Sequence, residues 1–314
     1  MLTALFGAML AAATPKVEHY QRVPVEFRND QLFAIANVDS ERLTFFLDTG
    51  GGWNAIRQST ADSLKLATTG KAKGEADEFA LVDFAPFAAA GIPSPAPEKW
   101  LQGKLAVVPD AQLQSDGFLG SRWFAGRIWE IDYPAAALKV LQKWHPGKNN
   151  ACIELGFRSG ADGKRNLNFP RVVVTVDGEP LDMLLDTGAT AQLSRTSAQE
   201  FSASAGTKIG TSYVSKTIFD RWVAHHPEWK VIENAETVTG RSEPMIRVAD
   251  ITVAGEKVGP VWFAQRPDAN FRDFMSRMTD KPVVGAVGGS ALKYFRVILD
   301  YPGGSACFWS TANR

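Results

Sequence analysis

Two aspartates in this 314-residue chain stand in matching surroundings. Phe45-Phe46-Leu47-Asp48-Thr49-Gly50 runs three apolar residues into a carboxylate, a hydroxyl and a glycine, and Met183-Leu184-Leu185-Asp186-Thr187-Gly188 repeats that grammar 138 residues later. Carboxyl groups are general acids and bases. Two of them held a few ångströms apart cannot both ionise easily, so one keeps a proton while the other accepts one. A pair of this kind is equipped for hydrolysis, of a peptide bond or, with the two carboxyls flanking the sugar linkage, of a glycoside. A glycosidase has no need of the Thr-Gly that follows each aspartate. A single Asp-Thr-Gly would read as turn residues capping their own loop; the duplicated set argues against that.

The elements that must position the pair repeat as well. Val38-Asp39-Ser40-Glu41-Arg42-Leu43 precedes the first triplet, and Val176-Asp177-Gly178-Glu179-Pro180-Leu181 precedes the second at the same offset. Each reads as a strand, a tight turn and a second strand running into the triplet. Further on, Gly117-Phe118-Leu119-Gly120 and Ile131-Asp132-Tyr133-Pro134 align without gaps on Gly285-Ala286-Val287-Gly288 and Leu299-Asp300-Tyr301-Pro302. Internal repetition of this order implies two homologous halves, the second carrying about 30 extra residues, placed by this reading between Tyr213 and Glu236.

These residues resemble the double signature of the aspartic protease clan, and most of all the bacterial retropepsin-like proteins with two fused, pepsin-like lobes. The resemblance covers nearly the whole chain after about the first 20 residues. It implies an all-β fold of two lobes, 14–148 and 149–314, related by a pseudo-twofold axis, with a few short helices. It also implies an endopeptidase in which Asp48 and Asp186 activate a water molecule, as aspartic proteases do in the general account of paired carboxyls. Thr49 and Thr187 would exchange hydrogen bonds between the loops. Gly50 and Gly188 would let backbone N–H groups approach the carboxyls. Leu119-Gly120 and Val287-Gly288 would pack behind. One triplet per half implies a monomer acting on protein or peptide substrates without cofactor or metal. A peptide-binding module that keeps the fold without the chemistry is the alternative reading. The chain departs from the family in reading Asp-Thr-Gly-Gly-Gly in the first lobe, and in lacking a match to the aromatic flap residue within 66–80. In the clan the terminal strands lie close together, so Cys152 and Cys307 are read either as one bridge or as two buried thiols.

Lys plus Arg and Asp plus Glu both number 34, so the formal charge is zero and gives no support to nucleic acid or an anionic membrane as partner. Residues 2–13 form a short apolar run ending in Ala11-Ala12-Ala13, which resembles a secretory signal without a basic start and implies a periplasmic or secreted protein. No long pro-segment separates it from the first strand, so acid-triggered zymogen activation is not expected. No later stretch is long and apolar enough for a membrane helix. Ser59-Thr60-Ala61-Asp62-Ser63-Leu64 and Thr196-Ser197-Ala198-Gln199-Glu200-Phe201 read as matching short helices. Residues 66–80 read as a hairpin or a surface loop, 236–242 as a second hairpin, and 271–278 as a short helix before Pro282. Residues 215–223 have helical spacing with Ser215 as N-cap candidate, ending at His225-His226-Pro227. The two histidines read as solvated surface residues rather than metal ligands. His145-Pro146-Gly147-Lys148-Asn149-Asn150 is the linker candidate.

Overall fold

The hairpins that lead to the two aspartates turn on residues in the left-handed region. Asp39 and Ser40 have φ of 46° and 70°, and Asp177 and Gly178 have φ of 49° and 77°. Two such residues in succession make the tight turn that suits the twist of flanking strands. The turns set the registers Val38↔Glu41 and Val176↔Glu179. Strands Glu41–Leu47 and Glu179–Leu185 then run inward, and Leu47 and Leu185 are buried. The computed structural model describes residues 19–74, 77–147, 151–238 and 241–310. The signal-like run 1–13, linker residues 148–150 and the tip of the hairpin expected at 236–242 lie outside the described residues.

The chain is predominantly β. Each aspartate-bearing strand pairs in parallel with a glycine strand, Phe45↔Gly117 to Leu47↔Leu119 and Met183↔Gly285 to Leu185↔Val287. Each glycine strand pairs antiparallel with the next, Asn54–Arg57 or Ser212–Ser215. Those pair in parallel with Leu105–Val108 or Val261–Arg266. Beyond them lie the hairpins Thr68–Lys73/Glu78–Val82 and Lys230–Val238/Arg241–Val248. The stretch 66–80, left open between hairpin and surface loop, is thus hairpin. A third sheet of six strands takes three from each half, and Ile128–Asp132 pairs antiparallel with Phe295–Asp300 at its centre. The largest apolar cluster is continuous across both halves, joining Phe45, Leu47, Leu119 and Trp129 to Leu185, Val214, Val287 and Phe295. Burial of each such Leu or Phe contributes roughly 1.5–3 kcal/mol. The loops that follow Leu47 and Leu185 therefore sit on a floor that resists displacement.

The pairings correct the expected place of the extra residues. By position in the sheet, the strand answering Asn54–Arg57 is Ser212–Ser215, and the helix after it is Lys216–His225. The excursion comes earlier. Thr190–Gln192 and Lys208–Gly210 form a separate two-stranded sheet with helix Arg195–Ala198 between them. The helix at 195–198 looks like a counterpart of Gln58–Ser63 in residue types, but which segment fills the slot beside Gly285–Val287 is settled by long-range hydrogen bonding. Ser215 is indeed at the N-cap of Lys216–His225 but its side chain does not cap; Asp268, 51 residues away, accepts from the Thr217 N–H at 2.9 Å instead. The stretch expected as one helix over 271–278 is a π turn, Asn270–Phe274, followed by a 3-10 turn, Met275–Arg277. Cys152 and Cys307 are bonded, directly opposite each other on strands Cys152–Glu154 and Ser305–Ser310. No helix among the described residues is long and apolar enough to cross a membrane.

Candidate active site

Each aspartate begins where its strand ends. Asp48 N–H donates to Leu119 O at 3.0 Å and Asp186 N–H to Val287 O at 2.9 Å, the last rungs before the chain opens into the loop. Thr49 and Thr187 then reach across. Thr49 N–H donates to Thr187 Oγ1 and Thr187 N–H to Thr49 Oγ1, both at 3.0 Å. Each hydroxyl also donates to the carbonyl behind the opposite aspartate, Thr49 to Leu185 O at 2.6 Å and Thr187 to Leu47 O at 2.9 Å. Both threonines are fully buried. Four bonds in a water-free setting fix the two loops against each other, because breaking any one leaves a buried polar group unpaired.

The glycines are required by that closeness. A Cβ on Gly50 would lie 2.6 Å from Asp186 Cγ, and one on Gly188 would lie 2.1 Å from Asp48 Cγ. Each glycine therefore faces the carboxyl of the other loop. Its N–H holds its own aspartate, Gly50 to Asp48 Oδ1 at 2.7 Å and Gly188 to Asp186 Oδ1 at 2.9 Å. Behind the loops, a Cβ on Gly120 would meet Trp53 O at 2.4 Å, and one on Gly288 would meet Thr211 O at 2.2 Å.

The crossed loops bring the two carboxyl groups close enough to influence each other, and burial pushes both above the ordinary aspartate value. For Asp48, whose value rises well above the usual range, the neighbouring Asp186 charge adds to burial. The N–H groups of Gly50 and Gly188 work in the other direction by stabilising the ionised forms. A pair so arranged holds one proton between two groups. It can offer a base and an acid at once.

On the Asp186 side lies a cavity of about 420 Å³ with Leu184, Tyr213, Phe271 and Ala286 in its lining. Tyr213 is anchored, its hydroxyl accepting from Thr190 N–H and donating to Thr190 O, both at 2.7 Å. Burial pushes that hydroxyl up to about 12, so it stays neutral. Arg266 packs over the Tyr213 ring and forms a two-pronged ion pair with buried Glu236, at 2.7 and 2.9 Å. Residue-type reasoning missed Tyr213, Arg266 and Ala286 as neighbours of the pair. One signal was present: the gapless match of the glycine landmarks sets Ala286 against Phe118.

Among the described residues no group of three or more His, Cys, Asp and Glu side chains could hold a metal ion. His225 is exposed as expected, but His226 is not merely solvated. It stacks on Trp229 with ring centroids 3.9 Å apart, and its Nε2 lies 2.9 Å from Asp177 Oδ2. That ties the end of helix Lys216–His225 to the turn that opens the second aspartate hairpin. No family model matches the chain, and a search of curated proteins finds no match.

Proposed function

We propose that the chain is a single-chain aspartic endopeptidase of the two-lobed retropepsin-like kind. The observation that carries this reading is the pair itself: two aspartates on distant, similarly built loops that are locked together by the Thr49–Thr187 bonds, with each loop's glycine pressed on the opposite carboxyl. The matched order of strand pairings in the two halves supports homologous lobes about a pseudo-twofold axis. The six-stranded sheet supports an active site completed within one chain. The disulfide supports a periplasmic or secreted setting, where such bonds persist.

In this mechanism the ionised member of the pair takes a proton from a water molecule as that water attacks the peptide carbonyl. The protonated member hydrogen-bonds the carbonyl oxygen and then supplies the proton that lets the amine leave. The Thr49–Thr187 bonds and the Gly50 and Gly188 N–H groups hold both oxygens in place through the cycle, so little reorganisation accompanies the charge movement. The reading is tested by incubating the protein with an unfolded protein library between acid and neutral pH, with and without pepstatin, beside Asp48→Asn and Asp186→Asn. Cleavage that is pepstatin-sensitive and lost in both variants is expected. Cleavage persisting in either variant would sink it, and binding without cleavage would favour a peptide-binding module.

A further inference from the structure

The two aspartate loops are alike at their centre but are held differently at the fourth residue after each aspartate, which is Gly52 in the first and Thr190 in the second. Arg122 takes the first. Its Nε donates to Gly52 O at 2.7 Å, while its guanidinium pairs with Glu98 at 2.9 Å and lies over the Trp100 ring. Tyr213 takes the second through both backbone groups at once, its hydroxyl accepting from Thr190 N–H and donating to Thr190 O. Only a neutral phenol can do both. Burial, by pushing that hydroxyl up to about 12, keeps it neutral wherever a carboxyl pair could work.

The place of Tyr213 comes from an exchange of sizes between paired strands. In the first half Ala55 stands opposite Phe118, and in the second Tyr213 stands opposite Ala286. The large ring is therefore on the glycine strand in one half and on its neighbour in the other. Arg266 lies over the Tyr213 ring with Cζ 4.1 Å from the centroid and is tied to buried Glu236. Swinging the ring away would disturb a buried ion pair, which is costly to part.

From Thr190 a line of hydrogen bonds runs to the chemistry. Thr190 Oγ1 donates to Gly188 O at 2.9 Å, and Gly188 N–H donates to Asp186 Oδ1 at 2.9 Å. Buried Gln31, from the first half, donates to the same Thr190 oxygen at 2.9 Å, which leaves the hydroxyl proton for Gly188. The Gly188 N–H stabilises the ionised form of Asp186 against the upward push of burial. In the first loop the fourth residue is a glycine, so no hydroxyl links Gly52 to Gly50.

We infer that Tyr213 is a positioning residue of the second aspartate loop: acting through Thr190 and Gly188, its hydroxyl fixes the N–H that supports the Asp186 carboxylate. The first loop, held at Gly52 by Arg122, does not depend on it. The effect on rate rests on the peptidase reading of the same site.

Tyr213→Phe keeps the ring and removes the hydroxyl. For a peptide that the wild type cuts, kcat falls about tenfold or more while KM stays within about twofold, because orientation is lost and the ring surface is not. One limb of the kcat–pH profile rises by about half a unit as the carboxylate loses support. Thr190→Val keeps the backbone clamp but cuts its link to Gly188, and gives the same two changes. The double variant loses no more than the worse single one, since both cut one line. A folded Tyr213→Phe with wild-type kcat overturns the inference, as does a fall in kcat with no shifted limb, or losses that multiply in the double variant. Should Tyr213→Phe not fold, an unshifted profile in Thr190→Val overturns it and a raised one upholds it. Should the wild type cut nothing, the peptidase reading fails separately, and carbon-13 titration of the Asp186 carboxyl judges the clamp. A midpoint raised in both variants upholds it; midpoints equal to the wild type overturn it.

Discussion

Thr49 and Thr187 make the same four hydrogen bonds, atom for atom, across the two aspartate loops, whereas one layer further out Phe118 stands where Ala286 does. The loops touch each other, so a change in one strains the other, and Gly50 and Gly188 have no room even for a methyl group. Phe118 and Ala286 take no part in those crossed bonds, so their side chains are free to differ in size. Two near-copies of one motif thus meet through one symmetric set of bonds while the surfaces around that set differ.

The loops are where that comparison is easiest to break. Asp48→Asn and Asp186→Asn should each lower peptide cleavage by about a thousandfold or more, and the double variant should lose little beyond either single one, because the two groups act as one unit. A double variant far worse than both, measured by initial rates, would mean the two loops work independently. Next come the glycines. Gly188→Ala places a Cβ 2.1 Å from Asp48 Cγ, and is expected to cost about a hundredfold in kcat and to shift the pH profile. Gly178→Ala, at φ 77° with open space around it, should cost about 1–2 kcal/mol of stability, from backbone strain alone, and leave the profile alone. Equal effects at the two sites would mean the crossed glycine–carboxyl contact is unimportant.

Thr49→Ala and Thr187→Ala should each destabilise by about 1–3 kcal/mol per buried group left unpaired, read by denaturant unfolding, and by similar amounts if the loops are equivalent. A large difference between them would locate an asymmetry inside the loops rather than in the walls. The smallest effects come from pH. Both aspartates titrate higher in the folded protein than unfolded. The native state therefore holds more protons over that window, and its stability falls as pH rises from the unfolded aspartate value through the raised ones. Asp48→Asn should remove much of that slope, so its melting midpoint gains on the wild type as pH rises from about 4. Activity should fall over the same rise, as the shared proton is lost. A midpoint gap independent of pH would contradict a proton-sharing pair.

Much of this was legible along the chain. The aspartate hairpins, their tight turns and the glycine strands are local patterns, in which alternating burial and turn-forming residues show within a short window. The hairpin at 68–82 was open between two readings because Thr68–Lys73 has little apolar alternation of its own; it gains its state by pairing with Glu78–Val82, which in turn pairs with Leu105–Val108. The place of the second half's excursion was misread for the same reason. Helix-like residue types at 196–201 are visible locally, whereas the choice of Ser212–Ser215 to flank Gly285–Val287 rests on hydrogen bonds between segments some 70 residues apart. His226 read as surface because nothing adjacent in sequence announces Asp177.

What the residues determined unaided is the chemistry on offer: two carboxyls, each at the mouth of an apolar strand, each followed by a hydroxyl and a glycine. Side-chain type and near-neighbour spacing are carried by the covalent chain, so they survive without a fold. What only the tertiary structure decided is which atoms meet: that Gly188 rests on Asp48, that Asp268 caps a helix 51 residues before it, and that the space beside Ala286 stays open while Phe118 fills its own. Contact and empty volume belong to segments brought together by burial of a common core, and no short stretch of sequence contains both partners.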